Sequence, residues 1–284
     1  MDRKRRREIT SSHACELEKR ACEDGEPNAQ YELGICYHTG ENGFSIDRVE
    51  GAKWIRRAAD KGLADAQNVL GRYYQAGWGV GQNDEEAAKW FHLAAEQGSA
   101  DAEYNLAVCY RNGLGVAVSE DEAIKYFRRA ASRGDAEAQL CVAHILHHGY
   151  GQPVDHAEAL RWYKDAAAQG DDRAQVGAGV MHLQGLGMLA PDPLEGVKFL
   201  EVAAEHGNVR AHILLGECYT RGMGVKKDLI KALDMYEKGA NIGQPDFCDT
   251  QHARKLAETL RKKIEARKEE YAPLTPSTSR NDKS

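Results

Sequence analysis

Small, bulky and polar positions alternate along most of this chain with the spacing of a helix. Alanine stands at 29, 66, 102, 138, 174 and 211, and Leu33, Leu70, Leu106 and Leu215 each lie four residues after one of them. Four residues further on come Tyr37, Tyr74, Tyr110 and Tyr219. Positions i, i+4 and i+8 share one stripe of a 3.6-residue helix, so each stretch predicts an amphipathic first helix. A second stretch follows, with bulk at Trp54-Ile55, Trp90-Phe91, Tyr126-Phe127, Trp162-Tyr163, Phe199-Leu200 and Met235-Tyr236. Alanine pairs come next at 58–59, 94–95, 130–131, 166–167 and 203–204. This predicts a second helix that is bulky toward one neighbour and small toward the next. Closely stacked helices need that alternation, and no such pair can bury its apolar face alone.

Glycines divide the pattern. Gly25, Gly62, Gly98, Gly134, Gly170, Gly207 and Gly243 are 36 or 37 residues apart, and Gly40, Gly77, Gly113, Gly149, Gly185 and Gly222 lie 15 residues after the first six. A period of that length predicts an all-α repeat array rather than one or two globular domains. The first helix should stop at its glycine, where a positive φ is available, in turns such as Gly77-Trp78-Gly79-Val80 and Gly149-Tyr150-Gly151. The residue between the two glycines is expected to pack back into the groove. Asp47, Asn83, Ser119, Asp155, Asp192 and Asp228 are placed to cap the second helices. Glu50, Glu86, Glu122, Glu158 and Glu195, three residues on, give a capping-box pattern in five of six repeats.

The expected organisation is a basic, disordered N-terminus over 1–11 and a half-repeat helix over 12–25. Six repeats follow at 26–62, 63–98, 99–134, 135–170, 171–207 and 208–243. A basic amphipathic capping helix over 244–271 and a disordered polar tail over 272–284 complete it; a terminal helix held out for a partner is the alternative.

Charge refines this picture. The formal charge of −6 hides a segregation: 1–10 and 251–270 each carry +3 and 271–284 carry +1, leaving about −13 on 11–250. An acidic body argues against nucleic acid along the array, and no apolar run is long enough for membrane insertion. MDRKRRREIT has charge but no apolar core, so a secretory signal is not expected. The seven cysteines have no metal-binding spacing, and Cys36, Cys109 and Cys218 fill one repeat position, which reads as buried filler in a reducing compartment. The expected location is cytoplasmic, with the nucleus as alternative. The G-x-G turns follow helices rather than strands, which excludes a phosphate cradle. His144 and His148 have a spacing that can bring two imidazoles to one metal, but no third ligand is evident; no metal site, catalytic residue or cofactor is assigned.

The repeat unit as a whole resembles the Sel1-like repeat, a relative of the tetratricopeptide repeat. Ala66, Leu70-Gly71, Tyr74, Gly77-Trp78-Gly79-Val80, Ala87, Trp90, Ala94-Ala95 and Gly98 carry the resemblance in one repeat. Ala102, Leu106, Tyr110, Gly113, Gly115-Val116, Ala123, Ala130-Ala131 and Gly134 carry it in the next. It departs locally, at Gly40–Phe44, at Met188–Pro193 and at Leu146, which takes the place of the usual aromatic. The resemblance implies a right-handed α/α superhelical solenoid that serves as a scaffold or adaptor rather than an enzyme. It leaves two alternatives: a permanent structural subunit of a larger complex, and a hydrolase or metal-dependent enzyme like some secreted members.

By analogy with tetratricopeptide arrays, first helices line the concave side. The positions two, five and six residues after the core leucine vary between repeats there. Arg72, Gln75, Arg111, Asn112, His144, His147, His148, Gln184 and Arg221 occupy them and are the candidate partner-binding residues. They suit a protein or peptide partner, an acidic one in particular.

Overall fold

The apolar stripes become helices of uniform length, each thirteen residues from α2 to α12. A computed structural model describes residues 15–242 and 248–270, in two compact units that divide after Asp155. In the first unit α1 spans 15–24, its last turn Arg20–Asp24 being π-helical. There follow α2 (Pro27–Thr39), α3 (Arg48–Asp60), α4 (Ala64–Ala76), α5 (Asp84–Glu96), α6 (Ala100–Asn112), α7 (Glu120–Ser132) and α8 (Ala136–His148). The second unit comprises α9 (His156–Ala168), α10 (Asp172–Gln184), α11 (Pro193–Glu205), α12 (Val209–Arg221), α13 (Leu229–Ile242) and α14 (Cys248–Glu270). Within each unit a helix packs chiefly on the helices before and after it, the arrangement of an α-solenoid, and no strand occurs among the described residues. The expected disorder at 1–11 and 272–284, and Gly243, lie outside the described residues.

Burial follows the alternation read from the sequence. Ala66, Leu70 and Tyr73 of α4 are buried with Ile55, Ala58 and Ala59 of α3, and Val197, Leu200 and Ala203 of α11 with Ala211, Leu215 and Cys218 of α12. Leu17 and Ala21 of α1 cover Leu33 and Cys36 of α2, so the half-repeat closes the face that the first full repeat would expose. At the other end Ala253, Ala257 and Leu260 of α14 pack on Ile213, Tyr236 and Ala240. These three side chains of the terminal helix are buried, with Leu256 and Ile264 partly so.

Glycine permits close approach both within the first helices and in the turns that follow them. At Gly71 a Cβ would stand 2.6 Å from the Phe91 ring, and at Gly216 it would stand 2.4 Å from Tyr236, so the two helices of a repeat cross where the first has no side chain. In the turns, a Cβ on Gly79 would come within 1.9 Å of the Arg48 carbonyl oxygen and one on Gly115 within 2.0 Å of that of Asp84. These are backbone atoms at the start of the preceding second helix and cannot move aside.

The capping box is only half made. Asp47, Asn83, Ser119, Asp192 and Asp228 accept from the backbone N–H two or three residues on, as expected. The return bond from glutamate to the cap's own N–H is absent there. Those N–H groups donate instead to carbonyls of the preceding first helix, Asp47 to Tyr37, Asn83 to Tyr74, Ser119 to Tyr110, Asp192 to His182 and Asp228 to Tyr219, at 2.8–3.0 Å. The turn that closes the hairpin takes the donor first. Glu50, Glu86, Glu122 and Glu195 are left to pair with Lys53, Lys89, Lys125 and Lys198 at 2.7–2.9 Å.

Candidate partner-binding surface

A polar ladder joins successive repeats at the start of the first helices. The glutamine after the repeat alanine donates its side-chain amide to an alanine carbonyl of the preceding helix: Gln30 to Ala21, Gln67 to Ala59, Gln139 to Ala131 and, in the second unit, Gln175 to Ala167, at 3.1–3.5 Å. The third repeat has Glu103 there, fully buried, and a carboxylate cannot donate. Arg129 supplies the donor in its place: Nη2 reaches the Ala95 carbonyl at 3.0 Å and Nε reaches Glu103 Oε1 at 2.9 Å. Arg133 Nε holds Glu103 Oε2 at 3.1 Å. Two guanidinium groups thus neutralise the buried carboxylate and restore the inter-repeat bond.

The candidate residues lie on the first helices, most of them toward the C-terminal ends. Arg72 and Arg111 are exposed, and neither makes an ion pair among the described residues. Gln75 is half-buried; Asn112 is exposed near the end of α6. His144, His147 and His148 gather at the C-terminal end of α8. The His147 and His148 rings lie 4.5 Å apart and nearly perpendicular, those of His144 and His148 6.3 Å apart. No group of three or more His, Cys, Asp or Glu residues able to hold a metal occurs among the described residues. Gln184 and Arg221 are exposed at the ends of α10 and α12 in the second unit.

The structure brings two of these residues to one cavity. An apolar pocket of about 400 Å³ opens between α6, α7 and α8, with Phe127, Ile124, Cys141 and Ile145 forming its walls. Arg111, Glu120 and His144 line it as exposed polar groups, and the Arg111 guanidinium lies over the Phe127 ring, 5.5 Å from its centroid. Arg72 is not part of it. Tyr150 also borders the pocket but is 61% exposed, so the expectation that every turn residue packs back fails at this repeat. Its ring lies beside His148, 5.3 Å away. Sequence reasoning did not find the pocket. The column in question holds Cys36, Tyr73, Cys109, Ile145, Met181 and Cys218, and that run of side chains does not by itself mark the pocket.

Two further histidines lie away from this cluster, His182 buried and His38 half-buried. His182 takes the core position of Leu146, and its ring lies along Phe199 at 5.6 Å with neither nitrogen hydrogen-bonded among the described residues. His38 is wedged between Tyr73 and Trp78 at 5.1 and 4.9 Å. Burial holds both imidazoles below their ordinary pKa, aided by Arg48 and Arg72 near His38 and by Lys164 near His182. The cysteines carry free thiols. Burial pushes those of Cys109 and Cys218 up to about 11, as expected of inert core sulfur.

Comparison with known proteins agrees with this geometry. Residues 27–63, 64–99, 100–135, 136–171, 172–208 and 209–244 each match the Sel1 repeat. A Sel1 repeat protein from Oxalobacter formigenes is 35% identical with a TM-score of 0.67, over 77% of this chain and 89% of that one. A protective antigen of uropathogenic Escherichia coli with an SLR fold is 29% identical with a TM-score of 0.77, over 88% of this chain. Protein DSF2 of Saccharomyces cerevisiae is 40% identical over 74 residues, 24% of this chain. The matches span 56% of the E. coli protein and 10% of the yeast one. Six consecutive repeat matches, with helices and turns to correspond, make this chain a member of the Sel1 repeat family.

Proposed function

We propose that the chain is a scaffold or adaptor that binds a partner peptide or subunit on the exposed edge of its first helices. Repeat architectures of this kind are generally used for protein–protein interaction. One observation supports the placement. Arg72, Arg111, Asn112, His144 and His148 are exposed on successive first helices, while Ala66, Ala102 and Ala138 of the same helices are buried. These residues are not needed to close the stack. Arginine can take a carboxylate with two parallel hydrogen bonds, which favours an acidic partner against an otherwise acidic body. The free thiols support a reducing location, cytoplasmic or nuclear.

The test is affinity purification with the full-length chain, then calorimetry of the recovered partner against wild type and Arg72→Ala/Arg111→Ala. The double variant should lose about 1–4 kcal/mol of binding at unchanged helicity. Unchanged affinity would move the interface to another surface. A second reading, a permanent subunit, draws on Leu194 and Ile230 of the second unit, which occupy equivalent positions in successive repeats and are 60% and 61% exposed. Native mass measurement of the purified material distinguishes the two: a stoichiometric complex that survives dilution favours the subunit.

A further inference from the structure

The pocket between α6, α7 and α8 has a counterpart two repeats earlier, and there the chain fills the space with its own side chains. At the α2–α3–α4 junction the equivalent positions hold His38, Arg48, Tyr73 and Trp78. The three rings pack together with centroids 4.9–6.0 Å apart, and the Arg48 guanidinium lies 5.9 Å over Trp78. At the later junction Arg111 stands for His38, Glu120 for Arg48, Ile145 for Tyr73 and Tyr150 for Trp78. Isoleucine stands where the earlier junction has the Tyr73 ring, as Cys109 does in the repeat between, and the Tyr150 ring is turned to His148 and largely exposed. The space that rings occupy in the earlier repeat is left as a cavity of about 400 Å³, within the range that holds small ligands and anchor side chains.

We propose that this pocket receives one large apolar side chain, an aromatic one, from a bound peptide that carries a carboxylate within reach of Arg111. The inference rests on the reading of the chain as a protein-binding scaffold and names one subsite of it. The side-chain class follows from the molecule itself, since Tyr73 and Trp78 show what the same backbone frame accommodates. The charge follows from Arg111. Its guanidinium is held at the pocket by the Phe127 ring and makes no ion pair among the described residues, so its donors are available to a carboxylate. Glu120, also lining the pocket, is placed to accept from a peptide N–H. An aromatic anchor in an apolar pocket bordered by such groups is the usual make-up of a binding hot spot.

The probes are N-acetylphenylalanine and its amide, titrated into the full-length protein with labelled isoleucine methyl groups. Ile124 and Ile145 report from inside the pocket; Ile213, buried in the second unit, is the control. The acid should shift both pocket methyls saturably in the millimolar range and bind several-fold tighter than the amide. Ile145→Tyr, which restores the residue of the earlier repeat, should weaken binding about tenfold or more as read at Ile124. Arg111→Ala should remove the preference for acid over amide. Should Ile145→Tyr fail to fold, Ala123→Leu fills the same space and must weaken the shifts at both methyls. Absent or non-saturable shifts overturn the proposal, as does undiminished binding in the filled variant or equal binding of acid and amide. If the partner recovered by purification binds the filled variant as well as wild type, the pocket is outside the interface and the scaffold reading stands. If wild type recovers no partner, that reading fails, while the fragment result still decides the pocket.

Discussion

Glu103 shows what one position can require of its neighbours. Four other repeats place glutamine there, which is neutral and donates directly to the alanine carbonyl. The buried carboxylate needs two arginines, and removing one partner of a buried charge costs more than the pair contributes. Arg129→Ala should therefore destabilise by about 3–5 kcal/mol in the native sequence. In a Glu103→Gln background, where the amide can reach Ala95 itself, the same change should cost about 1 kcal/mol or less. Denaturant midpoints of the four proteins close the cycle, and equal costs in both backgrounds would refute the arrangement. His38 and His182 carry a second expectation. Their folded pKa values lie below the value of about 6.5 for free imidazole, so the unfolded chain takes up protons first as pH falls. Their stabilisation is complete above that value and declines below it, toward the folded pKa. At His182 the opposing influences are Lys164, which lowers the pKa, and Asp192 and Glu195, which raise it. Thermal melts at pH 7.5 and 5.5 should show a smaller acid loss for His182→Phe than for wild type. An identical loss would assign the acid sensitivity elsewhere.

At the scale of the element, the hairpin turn rather than a full capping box sets the start of α3, α5, α7 and α11. The cap side chain holds the first turn, while the cap's backbone N–H ties that turn to the helix before it. Asn83→Ala should then cost about 1 kcal/mol, as loss of an N-cap does. Glu86→Ala, which removes only the exposed pair with Lys89, should cost no more than about 0.5 kcal/mol. A full capping box would make the two changes comparable, so urea midpoints of the two variants separate the arrangements.

At the scale of the molecule, stability within a unit is a sum of repeats and of the interfaces between neighbours. α8 packs on α7, and Gln139 donates to the Ala131 carbonyl across that interface. A chain cut after Gly134 should stay helical, melt earlier than the full chain and tend to associate through the uncovered face of α7. Circular dichroism melts with sedimentation would show both. A fragment that melts with the full chain and remains monomeric would contradict the nearest-neighbour account.

Much of this was determined by the sequence alone. The repeat number, the helix pairs, the buried alanines and the glycine stops rest on local spacing, because a helix face and a left-handed turn depend on residues a few positions apart. The histidines of α8 and the arginines of α4 and α6 could be picked out as variable positions on the same grounds. What they stand beside could not. The pocket at Arg111 depends on Phe127 arriving from α7 and on Cys141 and Ile145 lining it from α8, which are contacts between helices. The carbonyls that take the cap N–H groups, the arginines that reach Glu103 and the backbone that crowds Gly79 are likewise partners from other elements. Periodicity names the face a residue occupies, and only packing decides which atom of a neighbouring helix meets it.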